Sequence, residues 1–397
     1  MSFLFTGNKE PSQLLTVPTR FIYWFRNDLR IADNVAFWNA VRDADEILPV
    51  YVFDPRKYRV KDLGFRKTGI KRALQVIGAV NKLRQELRNR GGDLIIRIGE
   101  PEMVVYELAN NYNVQEIRAS KEITLEETNI EASLSKKLKG INVDISLTWM
   151  NTLTHPHDLP FYISLLPGSY AEFSQAVTGI PVRPPVVESP VRAFFQPENP
   201  GLLPELPDLG FQPDELVSVD PDSEEKTEKD ISERVKSGEA DLTEIENWIS
   251  GGRLSPRGAY QLVQELPMAE AVYQRLLRRD YLQYLGLKWG TRLFKPSGII
   301  HNIDQTWVED TEKFLSWTEA RTGDPAVDSF MNELNHTGMI SEEGFKVLAR
   351  YLVQELGVNW TWGAAWFESQ LKYYDTVIVW GSWNYLSGVG LETASTI

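Results

Sequence analysis

The sequence predicts an α/β domain followed by a long connector and an all-helical domain. Three observations lead to this prediction. Strand and helix patterns alternate over residues 20–150, prolines recur over 151–247, and helical spacing with aromatic residues on the apolar faces dominates 248–397. At roughly 150 residues per domain, a chain of 397 residues accommodates such an arrangement.

The first segment, residues 20–150, predicts a Rossmann-like parallel sheet, because strands that alternate with helical patterns favour parallel pairing. No GxGxxG or GxxxxGK[ST] motif follows a strand, so a standard dinucleotide loop or P-loop is excluded. The predicted strands are Phe21–Phe25, Ile47–Phe53, Leu94–Ile98 and Val143–Trp149, with Glu116–Ala119 as a weaker fifth, and the predicted helices between them are Thr68–Arg88 and Glu102–Asn110.

The second segment, residues 151–247, predicts an extended connector, since thirteen prolines fall between positions 156 and 221. Its end, Asp220–Glu246, is acidic and polar. That run is interpreted as a solvated segment, with a docking surface for a basic partner as the alternative.

The third segment, residues 248–397, predicts a helical domain. Ser341 followed by Glu342 and Glu343 is typical of a helix start. The predicted helices are Pro256–Leu266, Ala269–Leu287, Asp310–Ala320, Pro325–Thr337, Ser341–Leu356 and Thr361–Tyr374.

The amino-acid composition excludes several kinds of functional site and partner. The absence of Cys excludes thiolate metal sites, disulfides and Cys nucleophiles. The net charge of −13, of which −11 falls in residues 201–250, argues against a nucleic-acid partner. No apolar run reaches the roughly 18–20 residues of a membrane span, and the first residues do not form a secretory signal. We therefore expect a protein of the cytoplasm or an organelle such as the plastid stroma, not a secreted one.

Several ordered motifs resemble the photolyase/cryptochrome family, and among its branches the DASH-type cryptochromes. They read FIYWFRNDLRIADN (21–34), TLTHPHDLPF (152–161), RLSPRGAY (253–260), RTGDPAVDSFMNELNHTGM (321–339) and WGSWNYLSGVG (380–390). The resemblance covers about residues 20–210 and 248–390. It implies the photolyase/cryptochrome architecture, in which the helical domain holds FAD.

Residue by residue, the resemblance also shows departures. Where the family holds the FAD phosphates with hydroxyls, this chain has Glu244 and Glu246, which would repel an anion. Phe345 and Tyr373 stand where the family has an Arg and an Asp. These losses predict that no cofactor is bound. If FAD does bind, the retained family positions Arg279 and Asp375 are the expected contacts.

Three tryptophans match the family's electron-transfer triad: Trp307, Trp360 and Trp383. With FAD bound they would carry electrons, and without it they would fill the helical core. Glu122 lies where DASH-type relatives hold a pterin antenna, and whether a pterin binds stays open. His155 and His157 are interpreted as structural, so no metal ligand and no catalytic residue is predicted.

The interpretation drawn from these departures is a degenerate FAD site in a non-enzymatic interaction or scaffold subunit with an unidentified protein partner. Arg275 and Arg278 replace the family's lesion contacts, so DNA repair is not expected. The alternative is a divergent FAD-binding blue-light photoreceptor of DASH type or a residual photolyase, which would be a lyase.

Overall fold

Five parallel strands form one sheet in the computed structural model, which describes residues 18–212 and 228–391. The strand order is β3-β2-β1-β4-β5, so the first strand lies at the centre and the chain winds outward in both directions. This confirms the predicted α/β class. The strands are β1 Arg20–Phe25, β2 Glu46–Phe53, β3 Ile95–Ile98, β4 Glu116–Ser120 and β5 Asp144–Thr148.

The burial of strand β1 explains why its sequence is apolar from Phe21 to Phe25 and does not alternate between apolar and polar residues. Tyr23 and Phe25 belong to the core on one face of the sheet, whereas Ile22 and Trp24 belong to the core on the other face. Both faces are covered, as is usual for a parallel sheet between helices. The apolar runs in the sequence therefore predicted the strands well.

Four helices accompany the strands. The first begins at Asn34, whose side chain accepts a hydrogen bond from the backbone N–H of Phe37 and so caps the helix. The helices are α1 Val35–Asp43, α2 Ile70–Asn89, α3 Pro101–Asn111 and α4 Leu125–Leu138.

The connector lies along the sheet domain and is mostly extended. Its backbone bonds to the start of β2, where the N–H of Ile47 donates to the carbonyl of Ala193 at 3.0 Å. Residues 213–227, and with them part of the acidic run Asp220–Glu246, lie outside the described residues. The helices on either side of that gap are α5 Tyr170–Val177, α6 Glu228–Lys236 and α7 Leu242–Ser250.

The remaining helices share one core that contains the fully buried Trp317, Trp360 and Trp383. The predicted helix Ser341–Leu356 is in fact an α-helix that ends at Arg350 and continues as a π-helical turn, Tyr351–Glu355. The helices are α8 Pro256–Val263, α9 Ala269–Trp289, α10 Thr311–Thr318, α11 Pro325–Thr337, α12 Glu342–Arg350, α13 Trp360–Gln370 and α14 Thr376–Leu386.

Buried polar contacts join the helical part to the sheet. The carboxylate of Asp33 accepts a 2.6 Å hydrogen bond from Ser255 Oγ and pairs with Arg257. Arg253, fully buried, lies 2.8 Å from the Glu86 carboxylate. Within the described ranges, no helix has the length and apolar character needed to cross a membrane.

Candidate functional site

A cavity of about 490 Å³ lies between the sheet and the helical domain. On the sheet side its wall includes Asn27, Lys57 and Glu122, which follow β1, β2 and β4. Ligand sites of open parallel sheets form at this edge, beyond the carboxyl ends of the strands. On the helical side the wall includes residues of α9 and α14. The cavity is therefore the candidate ligand-binding site.

Five buried donors on residues of the cavity wall have no hydrogen-bond partner among the described residues. They are Arg26 Nε, Arg30 Nε, Arg72 Nη1, Gln75 Nε2 and Arg279 Nε. A buried donor without a partner costs about 1–3 kcal/mol. A ligand that brings acceptor atoms to this wall would remove that cost.

Two of these donors belong to arginines without a carboxylate partner. Arg30 and Arg72 are 4 % and 8 % exposed, and no ion pair to a described carboxylate is formed by either. Burial lowers the pKa of both guanidinium groups. Arg72 instead lies over the ring of Tyr374, at 4.4 Å from the ring centre. Nearby carboxylates act in the opposite direction on both pKa values without forming an ion pair, so an anionic ligand could still pair with either cation directly.

The two predicted FAD contacts lie together in the wall of this cavity. Arg279 Nη2 is 2.6 Å from Asp375 Oδ2, and Gln283 Nε2 donates to the same oxygen at 2.8 Å. The other oxygen of Asp375 accepts the backbone N–H groups of Val377 and Ile378 and caps α14. The pair is thus held in place by α9 on one side and by the start of α14 on the other.

Glu122 is a carboxyl group of the cavity wall with a raised pKa. It is buried, and burial raises its pKa to about 7, although the nearby Arg26 acts in the opposite direction. Ser120 Oγ donates to it at 3.2 Å. Near neutral pH this carboxyl group can therefore donate a hydrogen bond as well as accept one.

The carboxylates at the position of the family's phosphate loop do not line the cavity. Glu244 is paired with Arg234 at 2.8 Å on the outer side of α7. Glu246 lies 3.8 Å from Arg275, and burial raises its pKa. Neither carboxylate is therefore part of the cavity wall, and each lies beside an arginine.

The structure separates the three predicted tryptophans into two groups. Trp383 packs against Phe345 and Phe367, with ring centres 5.7 and 5.2 Å away. Trp307 and Trp360 instead donate from their indole N–H groups to one atom, the carbonyl oxygen of Pro296, each at 2.9 Å. Among the ring contacts of the described residues, Trp383 makes none with Trp360.

A fourth tryptophan, Trp380, was missed by the sequence reasoning. It lines the cavity, lies 5.7 Å from Trp360 in an edge-to-face arrangement, and donates from Nε1 to the hydroxyl of Tyr374 at 3.1 Å. Helix α14 has apolar residues on all sides. The spacing of its apolar residues therefore did not predict which face lines the cavity.

The two histidines lie outside this site. The rings of His155 and His157 are 4.9 Å apart, and the backbone N–H of His157 donates to Nδ1 of His155. Burial lowers the pKa of His155 to about 4. No cluster of three or more potential metal ligands occurs in the ranges 18–212 and 228–391.

Comparisons with known proteins cover almost the whole chain. Residues 21–187 match the DNA photolyase family, and residues 272–397 match the FAD binding domain of DNA photolyase. The chain is 33% identical to a cryptochrome DASH of Gloeobacter violaceus, with 93% of this chain and 79% of that protein covered. It is also 33% identical to the Arabidopsis thaliana protein named "Cryptochrome DASH, chloroplastic/mitochondrial", with 93% and 70% covered.

The fold comparison agrees. The crystal structure of a Synechocystis sp. cryptochrome superposes with a TM-score of 0.84 at 31% identity, with 95% of this chain and 83% of that chain covered.

These findings correct one prediction. The expectation of no cofactor is wrong, because the match over residues 272–397 is to an FAD-binding domain and points to FAD. The substitutions at Glu244, Glu246 and Phe345 predicted otherwise only because each was compared with one family position. None of these three residues lines the cavity, so the substitutions do not affect the hydrogen-bond donors in its wall. The similarity in sequence and fold shows that the chain belongs to the photolyase/cryptochrome family, with DASH-type cryptochromes among its relatives.

Proposed function

We propose that this protein binds FAD and acts as a blue-light photoreceptor of the DASH cryptochrome type. The observation that carries the proposal is the cavity between the domains. Its wall combines unpartnered buried donors with Arg279 and Asp375, within a chain that matches the FAD-binding domain.

The residues present fit the chemical groups of FAD. The diphosphate is anionic, and Arg30 and Arg72 are buried cations without a carboxylate partner. The ring systems are flat and aromatic, and Tyr374 and Trp380 present aromatic side chains in the same wall. When bound, a flavin supplies absorption of blue light and one-electron chemistry.

The chain's own residues would hold this ligand in a fixed environment. Asp375 is held by Arg279 and Gln283, so its carboxylate keeps one orientation toward the cavity. Glu122, with its pKa near 7, can hold a proton at its carboxyl oxygen and donate it to an acceptor atom of a bound ring.

DNA repair is supported less well than light reception. Arg275 and Arg278, at the positions where the resemblance implies lesion contacts, pair with Glu342 at 2.8 and 3.9 Å. Lys346 also pairs with Glu342. The charges that could attract a phosphate backbone are thus partly compensated within the protein.

An absorbance spectrum of the purified protein tests the proposal. We expect flavin bands in the blue and release of about one FAD per chain on heat denaturation. A protein that remains colourless after incubation with excess FAD and removal of free ligand would refute it. The matched control is Arg279→Met, which should fold, as judged by circular dichroism, and retain less FAD.

Three further points stay proposals. The division into an α/β domain (20–150), a connector (151–247) and a helical domain (248–397) is supported by the family matches to 21–187 and 272–397. A protein partner remains a prediction. Location in the cytoplasm or in the plastid stroma is also a prediction, and the Arabidopsis thaliana relative, which is named as chloroplastic/mitochondrial, supports an organelle.

A further inference from the structure

The chain between β2 and α2 forms a hairpin, residues 59–67, that is part of the cavity wall. Every second side chain of this hairpin lines the cavity: Lys61, Leu63, Phe65 and Lys67. The side chains between them do not, and such alternation is typical of extended backbone, in which successive side chains point to opposite faces. One face of the hairpin therefore covers the cavity.

The hairpin is closed by its own hydrogen bonds. The backbone N–H of Lys61 donates to the carbonyl of Phe65 at 2.9 Å, and the N–H of Gly64 donates to the carbonyl of Lys61 at 2.9 Å. Gly64 has φ 86°, a conformation that glycine adopts without strain. Because these bonds lie within the hairpin, it can move as one piece without losing them.

The other face and the end of the hairpin are attached to the rest of the protein. Arg66 donates to the carbonyl oxygens of Tyr58 and Gly210, at 2.6 and 2.8 Å. Just beyond the hairpin, the N–H of Gly69 donates to the carbonyl of Ser369 at 3.0 Å and fixes the start of α2 on the helical domain. A hairpin that moves must therefore turn about these attachments and swing away from the cavity.

On the cavity side, Phe65 holds the hairpin to the helical domain. Its ring centre lies 5.1 Å from that of Trp366, edge to face, and 6.3 Å from that of Phe314. Each ring contact of this kind contributes little compared with a packed core. The Phe65 ring therefore fills the gap beside the hairpin without fixing it permanently.

Lys67 makes the second contact on this side. Its Nζ pairs with Glu126 of α4 and lies 3.7 Å from Glu368 of α13. The Glu126 side chain is 60 % exposed, so dissolved salt screens this pair. Three wall residues nearby are exposed, namely Lys61, Leu125 and Glu126, so the cavity reaches solvent between the hairpin and the first turn of α4. The pair of Lys67 with Glu126 spans this opening.

We propose that the hairpin of residues 59–67 is a lid that controls entry to the cavity. Phe65 closes it by an aromatic contact, and Lys67 closes it by ion pairs that salt weakens. The lid opens when both contacts break and the hairpin turns about its attachments. This role does not depend on which ligand occupies the cavity, so it goes beyond the proposed function.

A single engineered thiol can measure the opening, because the chain has no Cys of its own. Val377 lines the cavity and is 4 % exposed, so Val377→Cys places a thiol that a reagent reaches from the cavity. Val263 is fully buried in the helical domain and does not line the cavity, so Val263→Cys reports opening of the fold as a whole. The measured quantity is the rate of modification by N-ethylmaleimide, a small uncharged reagent, followed by mass spectrometry.

In the Val377→Cys protein, we expect Phe65→Ala to raise the modification rate about tenfold, since both ring contacts are lost. Lys67→Gln should raise it about threefold, and Lys67→Arg, which keeps the charge, should leave it near the starting value. The matched control is Lys121→Gln, which breaks another pair with a glutamate of α4, Glu131, outside the cavity wall and should have no effect.

Salt provides a second test. Raising NaCl from about 0.05 M to about 0.5 M should speed modification about twofold when Lys67 is present. The same change should have no effect in Lys67→Gln, because the screened pair is already absent.

Two results would overturn the lid. If Phe65→Ala and Lys67→Gln leave the rate at position 377 unchanged, the cavity is entered elsewhere, for example beside Asn27 or Thr291, the other exposed residues of its wall among those described. If the same variants speed modification equally in the Val263→Cys protein, they loosen the whole fold and not the hairpin. No flavin is used, so a failure of the lid leaves the proposed function standing, and a protein that binds no FAD leaves the lid standing.

Discussion

Arg279 and Asp375 form a mostly buried ion pair, with Arg279 Nη2 2.6 Å from Asp375 Oδ2, that joins α9 to the N-terminus of α14. The two residues are 96 positions apart in the sequence. Their side chains are 12 % and 16 % exposed, so water screens their attraction little. The pair lines the cavity, and its loss affects both stability and the proposed ligand site.

The first prediction follows from this double role of Asp375. Asp375→Ala removes the ion pair and the helix cap, and we expect the free energy of unfolding to fall by about 3–5 kcal/mol. Asp375→Asn keeps a capping side chain and should cost less. Urea denaturation of both variants measures the difference. The control is Arg321→Gln, which breaks a surface pair with Glu319 and should cost less than about 1 kcal/mol. Equal losses for Ala and Asn would contradict the role assigned to the cap.

The second prediction concerns Arg72, a buried cation whose Nη1 has no partner among the described residues. If the FAD diphosphate accepts from it, the bond is charge-assisted and contributes about 1.5–3 kcal/mol. Arg72→Gln should therefore raise the Kd for FAD roughly 10- to 100-fold, which isothermal calorimetry of the flavin-free protein can measure. Arg88→Gln, on the same helix but outside the cavity wall, serves as the control. An unchanged Kd in Arg72→Gln would place the diphosphate elsewhere.

Strands β1 and β2 could be predicted from the sequence because they are buried on both faces and so form continuous apolar runs. Helix α14 could not, since Val377, Val379, Trp380 and Trp383 are buried on different sides of it and leave no polar face. Only the cap residue Asp375 marks its start. Helix α4 carried a signal that was overlooked: acidic residues in its first turn and lysines in its last.

Only some residues of the candidate site could be identified from the sequence. Arg279 and Asp375 were identified because they match family positions. Arg30, Gln75 and Trp380 were not, because what makes them interesting is burial in a wall built from both domains. Burial of this kind depends on how distant segments pack, and no local pattern encodes it.

The third prediction concerns Asp33, which joins three parts of the chain. Its carboxylate accepts from Ser255 Oγ at 2.6 Å and from the backbone N–H of Val186 at 2.8 Å, and it pairs with Arg257. Its backbone has φ 45°, a left-handed conformation that Asn also tolerates. Asp33→Asn therefore tests the charge without adding backbone strain.

We expect Asp33→Asn to lower the free energy of unfolding by about 3 kcal/mol, since it leaves Arg257 without its counter-charge in a mostly buried position. The connector should also become more sensitive to limited proteolysis. The control, Asp45→Asn, weakens a surface pair with Arg192 and should have a much smaller effect. If both variants are cleaved at the same rate as the wild type, Asp33 does not hold the connector.

The fourth prediction is a pH dependence that originates at Asp280. This side chain is fully buried on α9 and accepts the backbone N–H groups of Leu153 and Thr154, both at 2.8 Å. Burial raises its pKa to about 7 from 3.8, against the effect of those two hydrogen bonds. The folded state therefore binds the proton more tightly than the unfolded state does.

The sign of the effect follows from proton linkage. Between about pH 4 and pH 7 the folded state holds more protons at this group, so its contribution to stability falls as the pH rises. Asp280→Asn carries no titratable group at this position. The difference in unfolding free energy between wild type and Asp280→Asn should thus be larger at pH 5 than at pH 8, when both proteins are measured in urea at each pH. A difference that stays constant between those pH values would show that Asp280 titrates normally in the folded protein.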